Sequence, residues 1–160
     1  MKKIIFPLFA LIAVLSLAAL KPSPVANFAD AREDSLAADR AKYVKQVKDA
    51  IAGKEKMPAG EVFKNVKIFK TQTAEQMLGI MEQRWSKTLG VSCGHCHNTN
   101  DFSSEEKNDF KIARDMVAMV GKINDDLLAT MPAYASKERK PRVCCNTFHR
   151  GESHPGRPNK

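Results

Sequence analysis

Residues Cys93-Gly94-His95-Cys96-His97 place two thiols three positions apart, with an imidazole directly after the second. C-x-x-C-H is the attachment signature of c-type haem. The spacing has a physical reason. Thiols three positions apart can add to the two vinyl groups along one edge of a porphyrin, and the adjacent His97 is then placed under the ring as the proximal iron ligand. The second axial ligand and the burial of the group then set its potential and reactivity.

Other chemistries compete for the same residues. Cys-Gly-His-Cys is also the active-site tetrapeptide of disulfide isomerases, so Cys93 and Cys96 could form a redox dithiol in a thiol–disulfide oxidoreductase. That chemistry needs the first cysteine at a helix N-terminus in a thioredoxin-like sheet. Here a helix precedes the motif and no sheet is expected. Cys93, Cys96, Cys145 and His149 could instead bind zinc as C-x2-C…C-x3-H. The long separation between the halves is unlike a compact zinc module. A structural disulfide is the third alternative, and haem attachment outweighs all three.

A haem c takes a Met or a His on its other face, and Met81 is the best candidate. The helix rises about 12 Å from Met81 to Leu89. Gly90 lets the chain reverse and brings the motif back alongside. A Met on an apolar helix face is commonly core filling, and Met77 lies one turn away on the same face. His95 and His154 are read as exposed and non-ligating.

The elements that position these groups are mostly helical. Asn27 to Gly53 reads as a helix, with Leu36, Tyr43, Val44, Val47 and Ile51 at helical spacing and Gly53 as its stop. Lys54 to Gly60 is a loop. Val62 to Phe69 alternates and is at best a short strand. Thr73 and Gln76 form a capping box for a helix carrying Met77, Ile80, Met81, Trp85 and Leu89. Ser103 and Glu106 repeat that spacing before a helix reaching about Ala129, with Phe110, Ala113, Val117, Val120, Ile123 and Leu127 as its core face. Pro132 limits continuation. The fold class is a small, mostly α domain without a parallel sheet.

The chain has 160 residues, enough for one domain and too few for a large α/β enzyme with a separate cofactor domain. Hydrophobic residues at 43% and charged residues at 28% are ordinary globular usage, which excludes wholesale disorder. Four cysteines are too few for a disulfide-dense mini-protein. The N-terminus reads as a signal helix: Lys2 and Lys3, then a charge-free run from Ile4 to Leu20, then small residues. Cleavage is expected near Ala18–Ala19 or after Ala26, and an uncleaved anchor is the alternative. Removing residues 1–26 takes away Lys2, Lys3 and Lys21 and no acid, so the net charge falls from +8 to +5. The expected organisation is a signal segment or anchor over 1–26, an N-terminal helix over 27–57, a haem-binding domain over 58–150 and a flexible tail over 151–160.

From Pro58 to Pro155 the chain resembles c-type cytochromes related to the photosynthetic reaction-centre cytochrome subunit. The resemblance is carried by Val62-Phe63-Lys64-Asn65-Val66, by Met81 twelve residues before Cys93, and by Leu89 through His97. It continues through Lys111-Ile112-Ala113-Arg114-Asp115-Met116, Met119 and Ile123-Asn124, and ends with Val143 to Gly151. It implies a helix–turn–C-x-x-C-H unit with Met81 and His97 as axial ligands. Members often carry a second site reading V-x-C-x-x-C-H-R-G. Here Cys145 and His149 match, but Phe148 stands where the second cysteine should be. The resemblance therefore implies a degenerate repeat, with Met116 or Met119 in the place of its distal ligand. One haem is expected, with a second on Cys145 and His149 as the alternative. Without that second haem, Met116 and Met119 should be core, and Cys144 and Cys145 spare thiols.

The functional expectation is an exported, periplasmic electron carrier rather than an enzyme. A filled sixth position argues against oxygen activation and against a gas sensor. The basic mature chain, with Lys87, Lys107 and Lys111 near the motif in sequence, favours acidic or membrane-bound electron-transfer complexes as redox partners. No concentrated basic patch suggests nucleic acid. Membrane attachment is expected only if the N-terminal segment stays uncleaved.

Overall fold

A computed structural model describes residues 28–156, with side chains from residue 31. The expected signal segment and the last four residues lie outside that range. The chain divides into two compact units, Met1–Ala31 and Arg32–Lys160; of the first, only the start of a helix is described. No helix among the described residues is long and apolar enough to cross a membrane.

Helix α1 (Phe28–Ala50) buries Val44, and Ile51 just past its end is buried too, both from the face read from the sequence; Arg40, which that reading did not include, is also buried. Gly53 follows with φ +81°, so the reversal falls at the expected glycine. A short helix α2 (Ala59–Val62) then replaces part of the expected loop. Pro58 starts it, with φ −56° and ψ 133° ahead of its first turn. Val62 to Phe69 forms no strand. The alternating residues have no partner strand, and Phe69 adopts φ +54°, which breaks the extended run. The β-pairing among the described residues amounts to isolated bridges, Pro58 with Thr73 and Asn98 with Asp101.

Helix α3 (Ala74–Gly79) begins at the expected capping box. Gln76 N donates to Thr73 Oγ1 at 3.2 Å, and Thr73 N donates to Gln76 Oε1 at 3.0 Å. It continues into a π-helical segment, Ile80–Ser86, and then α4 (Lys87–Leu89). Helix α5 (Cys93–Cys96) is a single turn. Helix α6 (Asn108–Lys122) also runs into a π-helical segment, Ile123–Leu128. A 3-10 turn (Pro132–Tyr134) and helix α7 (Cys145–His149) complete the order.

Two expectations about α6 fail for identifiable reasons. Ser103 does not cap it, because its N–H and hydroxyl both donate to Asp101 Oδ1, at 2.9 and 2.6 Å. The helix therefore starts at Asn108, with Lys107 before it. Leu127 is 62% exposed, although a 3.6-residue period puts it on the core face. The π-helical turn widens the spacing and rotates it outward. Met116 and Met119, expected in the core, are each 42% exposed. Phe110, from the same expected face, is buried.

Candidate functional site

A cavity of about 440 Å³ opens between α1, the α2 region, the α3–α4 helix, α5 and the start of α6. Its wall includes Tyr43, Val47, Met77, Met81, Trp85, Cys93, Cys96, His97, Phe102 and Phe110. The two thiols, the imidazole and the thioether proposed from sequence thus face one space. So do Trp85, Phe102 and Phe110, aromatic residues that would shield a flat apolar group.

The chain reverses into this site at Gly90, which has φ +63°. Its amide donates to Lys87 O at 3.2 Å, and the Val91 amide to Ser86 O at 3.1 Å. Ser86 Oγ donates to Val91 O at 2.7 Å, locking the returning strand of chain against the helix it has left. Helix α1 clasps the turn from the other side. Arg32 Nη2 donates to Gly90 O at 3.1 Å, and Cys93 N donates to Asp39 Oδ2 at 3.1 Å. With α5 so fixed, residues three apart lie on one face, and Cys93 and Cys96 share the cavity wall.

His97 ends α5 and is oriented by its own loop. Its Nδ1 lies 3.0 Å from Phe102 O. A carbonyl only accepts, so Nδ1 carries the proton and Nε2 keeps a free lone pair. That second hydrogen bond is what fixes tautomer and ring direction in metal-ligating histidines. Phe110 packs edge-on to the imidazole at 5.0 Å, and Phe102 lies tilted at 5.4 Å. Burial lowers the His97 pKa, opposed by the Phe102 carbonyl and reinforced by Lys107 and Arg114. The ring is held neutral, as a ligand must be.

The thiols are protonated. Burial raises Cys93, with Asp39 adding to the effect, and pushes Cys96 to about 11, with Asp109 adding. A dithiol oxidoreductase needs the opposite shift. Among the described residues no three His, Cys, Asp or Glu side chains converge as a metal site. Cys93, Cys96, Cys145 and His149 are therefore not assembled for zinc.

Met77 and Met81 both reach the cavity wall, but differently. Met77 is 2% exposed, its surface already covered by protein. Met81 is only partly covered and sits in the π-helical turn, where its open surface faces the cavity. A π turn inside an α-helix is frequent at functional sites, and nothing in the 3.6-residue pattern announces it.

The C-terminal motif has a different setting. Neither described cavity is lined by Cys145, His149, Met116 or Met119. Helix α7 packs against the Ile80–Leu89 stretch, and Gly151 N donates to Thr88 O at 2.8 Å. Phe148, directly before His149, is exposed. His149 Nδ1 nevertheless donates to Glu152 O at 2.8 Å, repeating the arrangement at His97. His95 stays off the cavity wall, 3.6 Å from Asp109.

Sequence reasoning missed the residues that brace the site from outside. Arg114 donates to Glu105 and to Asn65 O, the latter at 2.7 Å, and covers the Phe110 ring at 4.3 Å. Lys107 Nζ donates to Gly94 O, inside the motif. Asp39 joins the site from a helix more than fifty residues away. These contacts are long-range, and no local pattern marks them.

The sequence profile of the family described as "Photosynthetic reaction centre cytochrome C subunit" matches residues 23–157. The chain belongs to this family. Membership in a family of c-type cytochromes implies covalently bound haem c, and the donor set on the cavity wall fits that group. The chain is also 30% identical over 82 residues to cytochrome c-554 of Chloroflexus aurantiacus. The matched stretch is 51% of this cytochrome but 20% of that relative, so the likeness reaches only a fifth of the other protein's length.

Proposed function

We propose that this cytochrome is an exported carrier of single electrons, with one haem c bonded to Cys93 and Cys96 and ligated by His97 and Met81. The observation that carries the reading is the convergence of those four side chains on one cavity. Haem c, when bound, supplies a one-electron iron couple. The chain supplies the rest. Phe102 O holds the His97 ring with Nε2 free. Trp85, Phe102 and Phe110 exclude water from the cavity, which favours the less charged ferrous state and so a higher potential. The Gly90 turn and the Asp39 contact hold the thiols where both can bond.

A single haem is supported by Phe148 in place of a cysteine. One observation favours a second haem: the imidazole of His149 is oriented like that of His97. Export is supported by Lys2 and Lys3 followed by the apolar run to Leu20. The mature charge of +5 favours acidic or membrane-bound redox complexes as partners.

The distal ligand is tested by the Met–iron charge-transfer band of the oxidised protein. Met81→Ala should abolish it, while Met77→Ala should retain it. A band that survives Met81→Ala removes Met81 from the iron.

A further inference from the structure

Arg40 lies on α1 directly after Asp39, and three and four residues before Tyr43 and Val44, which line the cavity while Arg40 itself does not. It is 5% exposed. Guanidinium keeps its proton at any ordinary pH, so this is a permanent buried cation. Its Nη2 donates to Glu33 Oε1, whose side chain is half exposed. Its Nη1 is buried with no hydrogen-bond partner among the described residues. A buried charge is usually matched by a buried partner, and here the match is incomplete.

The position of Arg40 suggests what the charge does. The neighbouring residue, Asp39, accepts the amide of Cys93 at 3.1 Å, which sets Arg40 beside the attachment turn. The Arg40 charge is also felt at the Cys93 thiol, where it favours the anion. Asp39 and Glu82 bring negative charge to the same end. Both are partly open to water and are screened more strongly than a guanidinium that is almost fully covered.

We propose that Arg40 is a tuning residue that raises the reduction potential of the bound haem; this rests on the haem reading above. Reduction adds one electron to the iron and removes one positive charge from the centre, with no bond made or broken. A buried cation nearby disfavours the ferric state more than the ferrous one, because the like-charge repulsion is larger there. Glu33, the counter-ion, should act with the opposite sign.

The test is a potentiometric titration of purified holoprotein in four forms: wild type, Arg40→Met, Arg40→Lys and Glu33→Gln. Arg40→Met should lower the ferrous-to-ferric ratio at a fixed potential by about tenfold, equivalent to about 59 mV. Arg40→Lys should retain most of the wild-type value, and Glu33→Gln should raise the potential. A potential unchanged in Arg40→Met, or one that falls equally in Arg40→Lys, overturns the proposal. If Arg40→Met does not fold, Glu33→Gln decides: a rise supports the electrostatic role, and no rise overturns it. Wild-type protein that carries no covalent haem after export contradicts the haem reading itself, and the proposal with it. A red wild-type protein with insensitive variants contradicts only the role of Arg40.

Discussion

Single residues set the geometry on which attachment depends, and Gly90 does so most sharply. Its φ of +63° is left-handed, and a Cβ built there would lie 2.0 Å from Gly151 O. A side chain at this position costs about 1–2 kcal/mol for the backbone conformation alone. The clash would also push Gly151 away and break its bond to Thr88. Gly79 offers the control, since a Cβ there meets nothing within 4 Å and the backbone is helical. Denaturant titration should show Gly90→Ala destabilised by more than about 2 kcal/mol, and Gly79→Ala stabilised by up to about 1 kcal/mol. A neutral Gly90→Ala would mean that the C-terminal segment does not dock on the turn. The glycine was legible as a helix stop. Its close approach to Gly151 was not, because that contact joins residues far apart in sequence.

At the level of elements, the segment between α2 and α3 is tied to α6 through Glu105. Lys67, Arg114 and Asn65 all donate to its carboxylate and hold its pKa near 2, well below the ordinary 4.5. A depressed carboxylate contributes stability that is complete above its unfolded pKa and is lost as pH falls through the folded value. Thermal melts of wild type and Glu105→Gln should therefore differ at neutral pH, with the variant less stable. The gap should close between about pH 4.5 and pH 2. A gap that persists unchanged at pH 2 would show that the carboxylate's charge is not what binds these elements. The same elements show what a sequence can disclose. The Thr73–Gln76 capping box is local, so it was readable and correctly placed α3. The Ser103–Glu106 spacing looked equivalent, but Asp101 competed for Ser103 from two residues away. The face of α6 was readable near Phe110, where the helix is regular. It failed at Leu127, where the π-helical turn changes the period. Met81 was singled out from its place in the helix before Cys93 and lines the cavity, but the π turn in which it sits was not foreseen.

At the scale of the molecule, elements of the second unit from α1 to the start of α6 surround the cavity. The buried apolar residues are few, and no large side chain among the described residues is completely covered. A haem filling about 440 Å³ would supply apolar core that the chain itself lacks. That explains how a small basic helical chain can reserve so much of its interior for one group. The two cysteine–histidine motifs have different settings. The first keeps both thiols and the imidazole on one wall with the thioether. The second keeps the imidazole arrangement but packs its helix against the first. Intact-mass spectrometry of the purified protein, with the attached group mapped by proteolysis, tests this directly. One haem on the peptide containing Cys93 and Cys96 is expected, with Cys145 unmodified. A second haem on Cys145 would contradict the single-haem reading, and a haem-free chain with Cys93 and Cys96 as thiols or a disulfide would contradict the cytochrome site itself.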